Sequence, residues 1–241
     1  MLFVGVVICT PRPSAAQTPG AGLAPLTAFD SAKVQALLRE RLACLGCHVQ
    51  DGSGGTIGPD LTHVATRRPA AYIAAIIENP QRVVPGTVMP RIAMPLAMRT
   101  LVTQYFAGGV PLKSVIPSAP RESSDLHPKR SPAPAGGAAL YARYCAACHG
   151  ERGRGDGPNA RHLRVRPAVH ADAALMSAKT DARLFDAIAV GGYPMGRSAM
   201  MPPFGLTLSR VEIWALVRHL RVLCNCVGPA WSDTSGTSRS R

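Results

Sequence analysis

The feature that most constrains this chain is a five-residue pattern that occurs twice. The sequence reads CLGCH at residues 44–48 and CAACH at residues 145–149, so the pattern C-x-x-C-H returns after 101 residues. On a helix, two cysteines three positions apart lie about one turn from each other, and the histidine follows directly. Any fold of this chain therefore has to present two thiols and one imidazole as a compact set, and has to do so twice.

This spacing is the attachment signature of c-type haem. Two thiols one turn apart reach the two vinyl groups of one haem as thioethers, and the imidazole after them becomes the proximal iron ligand. A chain of this composition would contain on the order of 10⁻² such pentapeptides by chance. A zinc site needs two cysteine pairs that converge on one ion, and a thioredoxin-like site does not explain the histidine. We therefore predict two covalent haem c groups. The predicted attachment and proximal-ligand residues are Cys44, Cys47, His48, Cys145, Cys148 and His149.

The distance between the signatures predicts two domains in tandem. We expect one domain over residues 30–108 and a second over residues 136–227. Between them, residues 109–135 carry six prolines and five serines without amphipathic periodicity, which is typical of a linker. Residues 17–29 are interpreted as an N-terminal linker and residues 228–241 as a disordered polar tail.

Both halves predict the same order of elements, and the predicted fold class is all-α, with each domain a few helices around one covalently attached haem. A helix leads into each signature, and a glycine-rich loop, a middle helix, a Met-Pro segment and a final helix follow it. The last helix opens with a capping box, Ser209 to Glu212. The other predicted helices cover residues 31–43, 72–78, 96–106, 138–144 and 181–190.

Both halves resemble the class I c-type cytochromes of bacterial respiratory chains, over about residues 30–108 and 136–223. The resemblance implies a sixth iron ligand from a methionine that precedes a proline, well after the signature. In the first half, the run PGTVMP indicates Met89, and Met94, also followed by proline, is the competing candidate.

In the second half, the run SAMMPPFG at residues 198–205 matches the pattern S-x-x-M-P-P-F-G of that family and indicates Met201. Met200 and Met195 are the alternatives. A methionine in such a loop can also simply fill the core.

The resemblance also implies a proline whose carbonyl accepts the Nδ1–H of the proximal histidine and so orients the ring. Pro59, in the sequence GPDL, fits this role in the first half. Pro158, in the sequence GPN, is the corresponding candidate in the second half and fits less closely, because the following Leu163 is farther away.

A six-coordinate His/Met haem has no open position for substrate and changes oxidation state with little rearrangement. The sequence therefore predicts a dihaem electron carrier between respiratory redox partners rather than an enzyme. One alternative is a haem enzyme such as a dihaem peroxidase or a thiosulfate dehydrogenase, and another is the cytochrome subunit of a larger dehydrogenase or oxidase complex. An enzyme would need an unusual or displaceable ligand. The candidates for it are His63, His127, His162, His170, Cys224 and Cys226.

The net charge of +13 favours an acidic redox partner such as an oxidase, reductase or dehydrogenase. The charge is uneven, at +3 for residues 30–108 and +6 for residues 136–227. The arginines that cluster after the second signature predict a docking face, or else a solvated loop that neutralises haem propionates. Nucleic acid is not an expected partner of a haem protein without an aromatic platform. The clustered arginines are Arg152, Arg154, Arg161, Arg164 and Arg166.

The N-terminus predicts export to the periplasm, with or without association with the membrane. Residues 1–16 are interpreted as a signal peptide, with Ser14 and Ala16 at the −3 and −1 positions before Gln17. An acylated Cys9 and an unstructured tail are the alternatives. No transmembrane segment is expected in the mature chain, because no apolar run reaches the ~18 residues that span a bilayer.

Two cysteines remain after the signatures and the leader are accounted for. Cys224 and Cys226 lie at the end of the last predicted helix. In an oxidising compartment they bond to each other, bond to another chain, or stay free. The sequence leaves these three states open.

Overall fold

The computed structural model describes residues 25–108 and 136–232. The predicted signal peptide, the predicted linker at 109–135 and residues 233–241 lie outside the described residues. Among the helices that are described, none combines the length and the apolar composition that crossing a membrane requires.

The first half surrounds its signature with short helices. They are α1 (Ala28–Glu40), α2 (Val64–Arg67), α3 (Ala70–Glu78), α4 (Pro80–Val83) and α5 (Leu96–Phe106). The signature begins in the 3-10 turn Ala43–Gly46. A small antiparallel hairpin follows it, with strands β1 (Val49–Gln50) and β2 (Ser53–Gly54).

Helix α1 begins three residues earlier than the sequence predicted and ends at Glu40 rather than at residue 43. Its start is fixed by a capping box, in which the Thr27 hydroxyl accepts from the Asp30 N–H at 3.1 Å. The Asp30 carboxylate accepts in return from the Thr27 N–H at 3.2 Å. Two backbone donors that the helix leaves unpaired are thereby satisfied. Since this box lies ahead of the apolar period, the period alone placed the helix too late.

The core of the first half forms where α1, α3 and α5 meet. Val34 and Leu38 of α1 are buried there with Ile73 of α3 and Phe106 of α5. Leu45, inside the first signature, is buried in the same cluster. The apolar core thus anchors the signature turn directly.

The second half has the same plan with a longer final helix. Its helices are α6 (Gly137–Tyr144), α7 (Ala146–His149), α8 (Ala173–Ser177), α9 (Asp181–Val190) and α10 (Arg210–Cys224). Short 3-10 turns occur at Ala160–His162, Tyr193–Met195 and Ala230–Ser232. Since the described strands are confined to the small hairpin of the first half, the predicted all-α class is confirmed.

Helices α6 and α10 form the close contact at the centre of the second half. A Cβ on Gly137 would lie 2.1 Å from the Ala215 carbonyl oxygen, so the two helices approach as closely as a glycine allows. The predicted capping box starts α10, with the Ser209 N–H donating to the Glu212 carboxylate at 2.8 Å. The buried stripe of α10 includes Ile213 and Val217.

The end of α10 is held by covalent and polar contacts. Cys224 and Cys226 form a disulfide, which selects one of the three states that the sequence left open. Arg221 forms an ion pair with Asp181 at 2.7 Å and so ties α10 to the start of α9. At the start of the predicted tail, Ala230–Ser232 form a 3-10 turn, in which the Ser232 N–H donates to the Pro229 carbonyl at 2.9 Å.

The two halves touch in the folded chain. The Arg91 N–H donates to the Thr207 hydroxyl at 2.9 Å, and the Arg143 side chain donates to the Gly86 carbonyl. The first contact joins the Met-Pro segment of the first half to the second half. The second contact joins helix α6 to the first half.

Candidate functional site

The first signature folds into a single tight turn. The N–H groups of Cys47 and His48 both donate to the Cys44 carbonyl, at 3.1 Å and 2.9 Å. Cys44 and Cys47 remain free thiols and are partly buried. The turn thus places both thiols and the imidazole of His48 within one helical repeat, which is the set that covalent haem requires.

The ring of His48 is fixed by the loop that follows the signature. Its Nδ1 lies 2.7 Å from the Pro59 carbonyl oxygen, where the sequence placed this bond. Because the carbonyl accepts, Nδ1 carries the proton and Nε2 keeps its lone pair for a metal. Burial lowers the pKa of His48, and the bond to Pro59 offsets this only in part. The neutral ring is the form that ligates iron.

Gly58 gives the His48 ring its space. A Cβ at this position would lie 2.4 Å from Cε1 of the ring, closer than any real contact. The glycine therefore serves the orientation of the proximal histidine, a role that its place in the GPDL sequence did not by itself reveal.

The second signature repeats the turn, but its histidine has a different partner. The N–H of His149 donates to the Cys145 carbonyl at 2.9 Å, as in the first half. Its Nδ1, however, lies 2.9 Å from the Ala168 carbonyl oxygen, so the prediction that Pro158 supplies this acceptor is wrong. The acceptor lies nineteen residues after the histidine rather than eleven. A long arginine-rich loop intervenes, and only its far end returns to the ring.

Pro158 belongs instead to a segment that packs on the backbone of the second signature. The Asn159 N–H donates to the Ala147 carbonyl at 2.9 Å. A Cβ on Gly157 would lie 2.4 Å from the same Ala147 oxygen. Pro158 therefore follows a close backbone contact with α7, and its side chain is exposed.

His170, which the sequence analysis named as a candidate for an unusual ligand, lies directly against His149. Its ring stacks on that of His149, with centroids 4.0 Å apart and planes inclined by 15°. The Tyr141 hydroxyl lies 3.0 Å from Nδ1 of His170. Burial, and then the neighbouring His149, hold the pKa of His170 well below its ordinary value, so the stack consists of two neutral rings. A local sequence pattern does not signal this contact, because it depends on the return of the loop.

The four signature thiols lie in apolar surroundings. Burial raises the pKa of Cys44 to about 11 and that of Cys47 and Cys145 to about 12. The pKa of Cys148 is raised by burial as well, and a hydrogen bond from Asn159 opposes the shift. Such sites disfavour thiolate, which is the form that binds zinc. Across residues 25–108 and 136–232, no group of three or more His, Cys, Asp or Glu side chains is placed to hold a metal ion.

The competing methionines lie in different surroundings. Met201 packs against the core of the second half, whereas Met200 packs against the core of the first half. Met94 likewise packs against the first core. The backbone of Met89 is held on both sides, by the Gln81 side chain at its carbonyl and by the Thr87 hydroxyl at its N–H. Met94, Met200 and Met201 thus all pack against a core, and the choice of Met89 and Met201 as iron ligands stays a prediction.

The structure also describes four of the other candidates for an unusual ligand. His63 and His162 are exposed, and Cys224 and Cys226 are joined in the disulfide. His127 lies outside the described residues.

Comparison with protein families divides the chain in the same way as the fold does. The family described as cytochrome c matches residues 31–102. The family described as cytochrome c oxidase, cbb3-type, subunit III matches residues 132–220. A search of curated proteins gave no match. Each matched segment contains one signature.

Proposed function

Because the chain is a c-type cytochrome with two tandem domains, we propose that it carries single electrons between respiratory redox partners through two haem c groups with His/Met ligation. The observation that supports this most directly is the repeated proximal site. In each domain a one-turn signature presents two thiols, and a backbone carbonyl fixes Nδ1 of the histidine, which leaves Nε2 for iron. These donor sets fit covalent haem.

The bound haem would supply an iron that changes oxidation state without opening a position for substrate. The side chains that ligate the iron would set its preference between the ferrous and the ferric state. His48 and His149 would be the proximal ligands, and Met89 and Met201 the thioether ligands, which favour the ferrous state. Pro59 and Ala168 hold the tautomer and the orientation of the two histidines.

The partner that we propose is an acidic redox protein of an oxidase complex. The name of the family that matches the second domain, subunit III of a cbb3-type oxidase, supports this kind of partner. The five clustered arginines of the loop after the second signature are all exposed, in the domain with the higher positive charge. Exposed like charges on one loop accelerate the encounter with an oppositely charged surface, and salt weakens the effect.

We propose the periplasm as the place where the protein works, because its N-terminus is typical of an exported chain. Fractionation of expressing cells, followed by a stain for covalent haem, tests this. Haem-containing protein in the cytoplasmic fraction would contradict the proposal.

The ligand set is tested by absorption spectroscopy of protein that was made with haem-maturation machinery. We expect two covalent haems per chain and a weak band from methionine sulfur to ferric iron. Met89→Ala and Met201→Ala should each remove part of this band. Met94→Leu and Met200→Leu are the matched controls and should leave it intact. A haem that lacks the band in the parent and binds cyanide readily would point to an enzyme or a sensor instead.

The docking face is tested by measuring the rate of electron transfer with an isolated oxidase at increasing salt. Arg152→Gln combined with Arg164→Gln should slow the reaction at low salt and flatten its salt dependence. Arg82→Gln combined with Arg218→Gln removes the same charge from exposed positions elsewhere. An equal loss in both pairs would show that net charge matters rather than this face.

A further inference from the structure

Asn159 lies where the two signatures meet. It belongs to the second domain, ten residues after His149, and only 2% of it is exposed. Its amide nitrogen donates to the Gly46 carbonyl at 2.9 Å and to Sγ of Cys148 at 3.2 Å. Its amide oxygen accepts from the Thr56 N–H at 2.8 Å. One side chain thus contacts the backbone of the first signature and an attachment sulfur of the second.

These bonds account for the burial of a polar side chain. Burial of an amide is unfavourable unless its donors and its acceptor are paired, and here the amide nitrogen and the amide oxygen both have partners. Two of the three bonds cross from one domain to the other. The position is therefore specified by the contact between the domains rather than by the fold of either one.

The surrounding backbone is shaped for the same contact. A Cβ on Gly46 would lie 2.3 Å from the Met200 carbonyl oxygen of the other domain. A Cβ on Gly55 would lie 2.8 Å from the amide oxygen of Asn159. Both glycines belong to the first domain, so the absence of a side chain there lets the second domain approach the first signature.

The attachment sulfurs nearest to this junction are those of Cys47 and Cys148. Gly46 directly precedes Cys47, and the Cys148 sulfur is itself a partner of Asn159. A chain of few atoms, from the Cys148 sulfur through the amide to the Gly46 carbonyl, connects the two attachment motifs.

We propose that Asn159 is a positioning residue that holds the two haem-attachment motifs against each other, so that electrons pass directly between the two haems within one molecule. With a haem bound in each domain, one electron would pass from the ferrous iron of one to the ferric iron of the other, so that one iron is oxidised as the other is reduced and no bond forms or breaks. The inference rests on the proposed function, since it requires a haem in each domain.

The test compares Asn159→Leu with the parent. Leucine is close to asparagine in size but cannot make the three bonds. The readouts are the rate of electron exchange between the haems after reduction by less than one electron per chain, and the magnetic interaction between the two ferric haems. Loss of the two hydrogen bonds that Asn159 makes across the domains should lower the population of docked molecules by about 5- to 150-fold, and we expect the exchange rate to fall with that population. The magnetic interaction should weaken with it.

Two controls separate this inference from the proposed function and from general damage. Asn79→Leu removes an asparagine that caps α4 within the first domain and should leave the exchange rate unchanged. Haem content and the methionine band are recorded for every variant. A parent with fewer than two haems, or without the band, would contradict the proposed function. An Asn159→Leu protein with both haems, both bands and the parental exchange rate would overturn the role of Asn159.

If Asn159→Leu does not yield folded holoprotein, Asn159→Ser gives the same comparison with a smaller change. Thr207→Val serves beside it, because it removes a bond between the domains that contacts neither signature. We expect the exchange rate to fall more in Asn159→Ser than in Thr207→Val. The reverse order would overturn the proposal.

Discussion

The two domains present the same attachment turn but support its histidine in different ways. In the first domain a short loop brings Pro59 to His48, and Gly58 leaves room for the ring. In the second domain the acceptor is Ala168, at the end of a long loop, and His170 stacks against His149. The pentapeptide determines the attachment chemistry, whereas the loop after it determines how the proximal ligand is held.

The domains also differ in how much of their stability the polypeptide provides. The second has a fifteen-residue final helix with a capping box, a glycine-mediated contact between α6 and α10, and a disulfide. The final helix of the first has eleven residues and no side-chain cap at its start. We infer that the first domain depends more on its covalent haem for folding.

Loss of attachment should expose this difference most strongly. Cys44→Ala with Cys47→Ala should abolish cooperative unfolding of the first domain, because a small domain without its cofactor lacks sufficient core. Cys145→Ala with Cys148→Ala should leave the second domain helical, although less stable. Covalent haem per chain and thermal unfolding by circular dichroism check both. Equal loss of structure in the two variants would contradict the comparison.

The next effect should come from the glycines beside the signatures. Gly58→Ala should displace the His48 ring and change the ligation of the first haem, with an overpacking penalty of about 1–3 kcal/mol. Gly157→Ala pushes against backbone carbonyls of α7 instead, so it should destabilise the second domain while His149 stays bound. The ferric absorption spectrum and the affinity for added imidazole distinguish the two results. A displaced His149 in Gly157→Ala would show that the two loops support their histidines alike.

A smaller effect is expected from the helix caps. Ser209→Ala should destabilise the second domain by about 0.5–2 kcal/mol, because the capping box at α10 is lost. Thr27→Ala removes the corresponding box at α1 and should act on the first domain alone. Trp214 packs against the core of the second domain, so its fluorescence during denaturant unfolding reports on Ser209→Ala. A shift of that signal in Thr27→Ala would mean that the domains unfold as one unit.

The smallest effect should come from the histidine stack. His170→Leu removes an aromatic contact worth about 0.5–1.5 kcal/mol. If all of this energy distinguished the ferrous from the ferric state, the one-electron reduction potential of the second haem would change by about 65 mV at most. His170→Phe keeps a stacked ring and should move the potential less. Potentiometric titration followed by absorption measures both variants. A change at the first haem, or equal shifts in the two variants, would contradict a local role of the stack.

The sequence predicted the bounds of a helix correctly where the residues that start or end the helix lie next to its apolar period. The bounds of α5 and α9 agree with those predicted, since Pro95 precedes one helix and Gly191 follows the other at the ends of clear apolar periods. Helix α1 was misplaced because Thr27 caps it from outside that period.

The same difference between local and long-range signals decided which residues of the site could be predicted. The spacing within each signature predicted the attachment turn, and the resemblance to class I c-type cytochromes implied the role of Pro59, eleven residues after His48. Ala168 and His170 reach His149 only after a loop that folds back, through contacts such as that of the Ala171 N–H with the Gly153 carbonyl. Asn159 meets partners in another domain, and the sequence around it does not indicate them.

The hydrogen bonds that join the domains have a consequence for the order of assembly. Three of them connect residues 103, 113 and 116 positions apart along the chain, and the bond between Arg143 and Gly86 connects residues 57 positions apart, whereas each domain folds around contacts within itself. Closing so long a loop is entropically unfavourable, so these bonds form last and open first. Since the sulfur of Cys148 is a partner in this junction, docking competes with access to the thiol. Maturation is therefore expected to precede docking, and a chain that closes early would be trapped without cofactor.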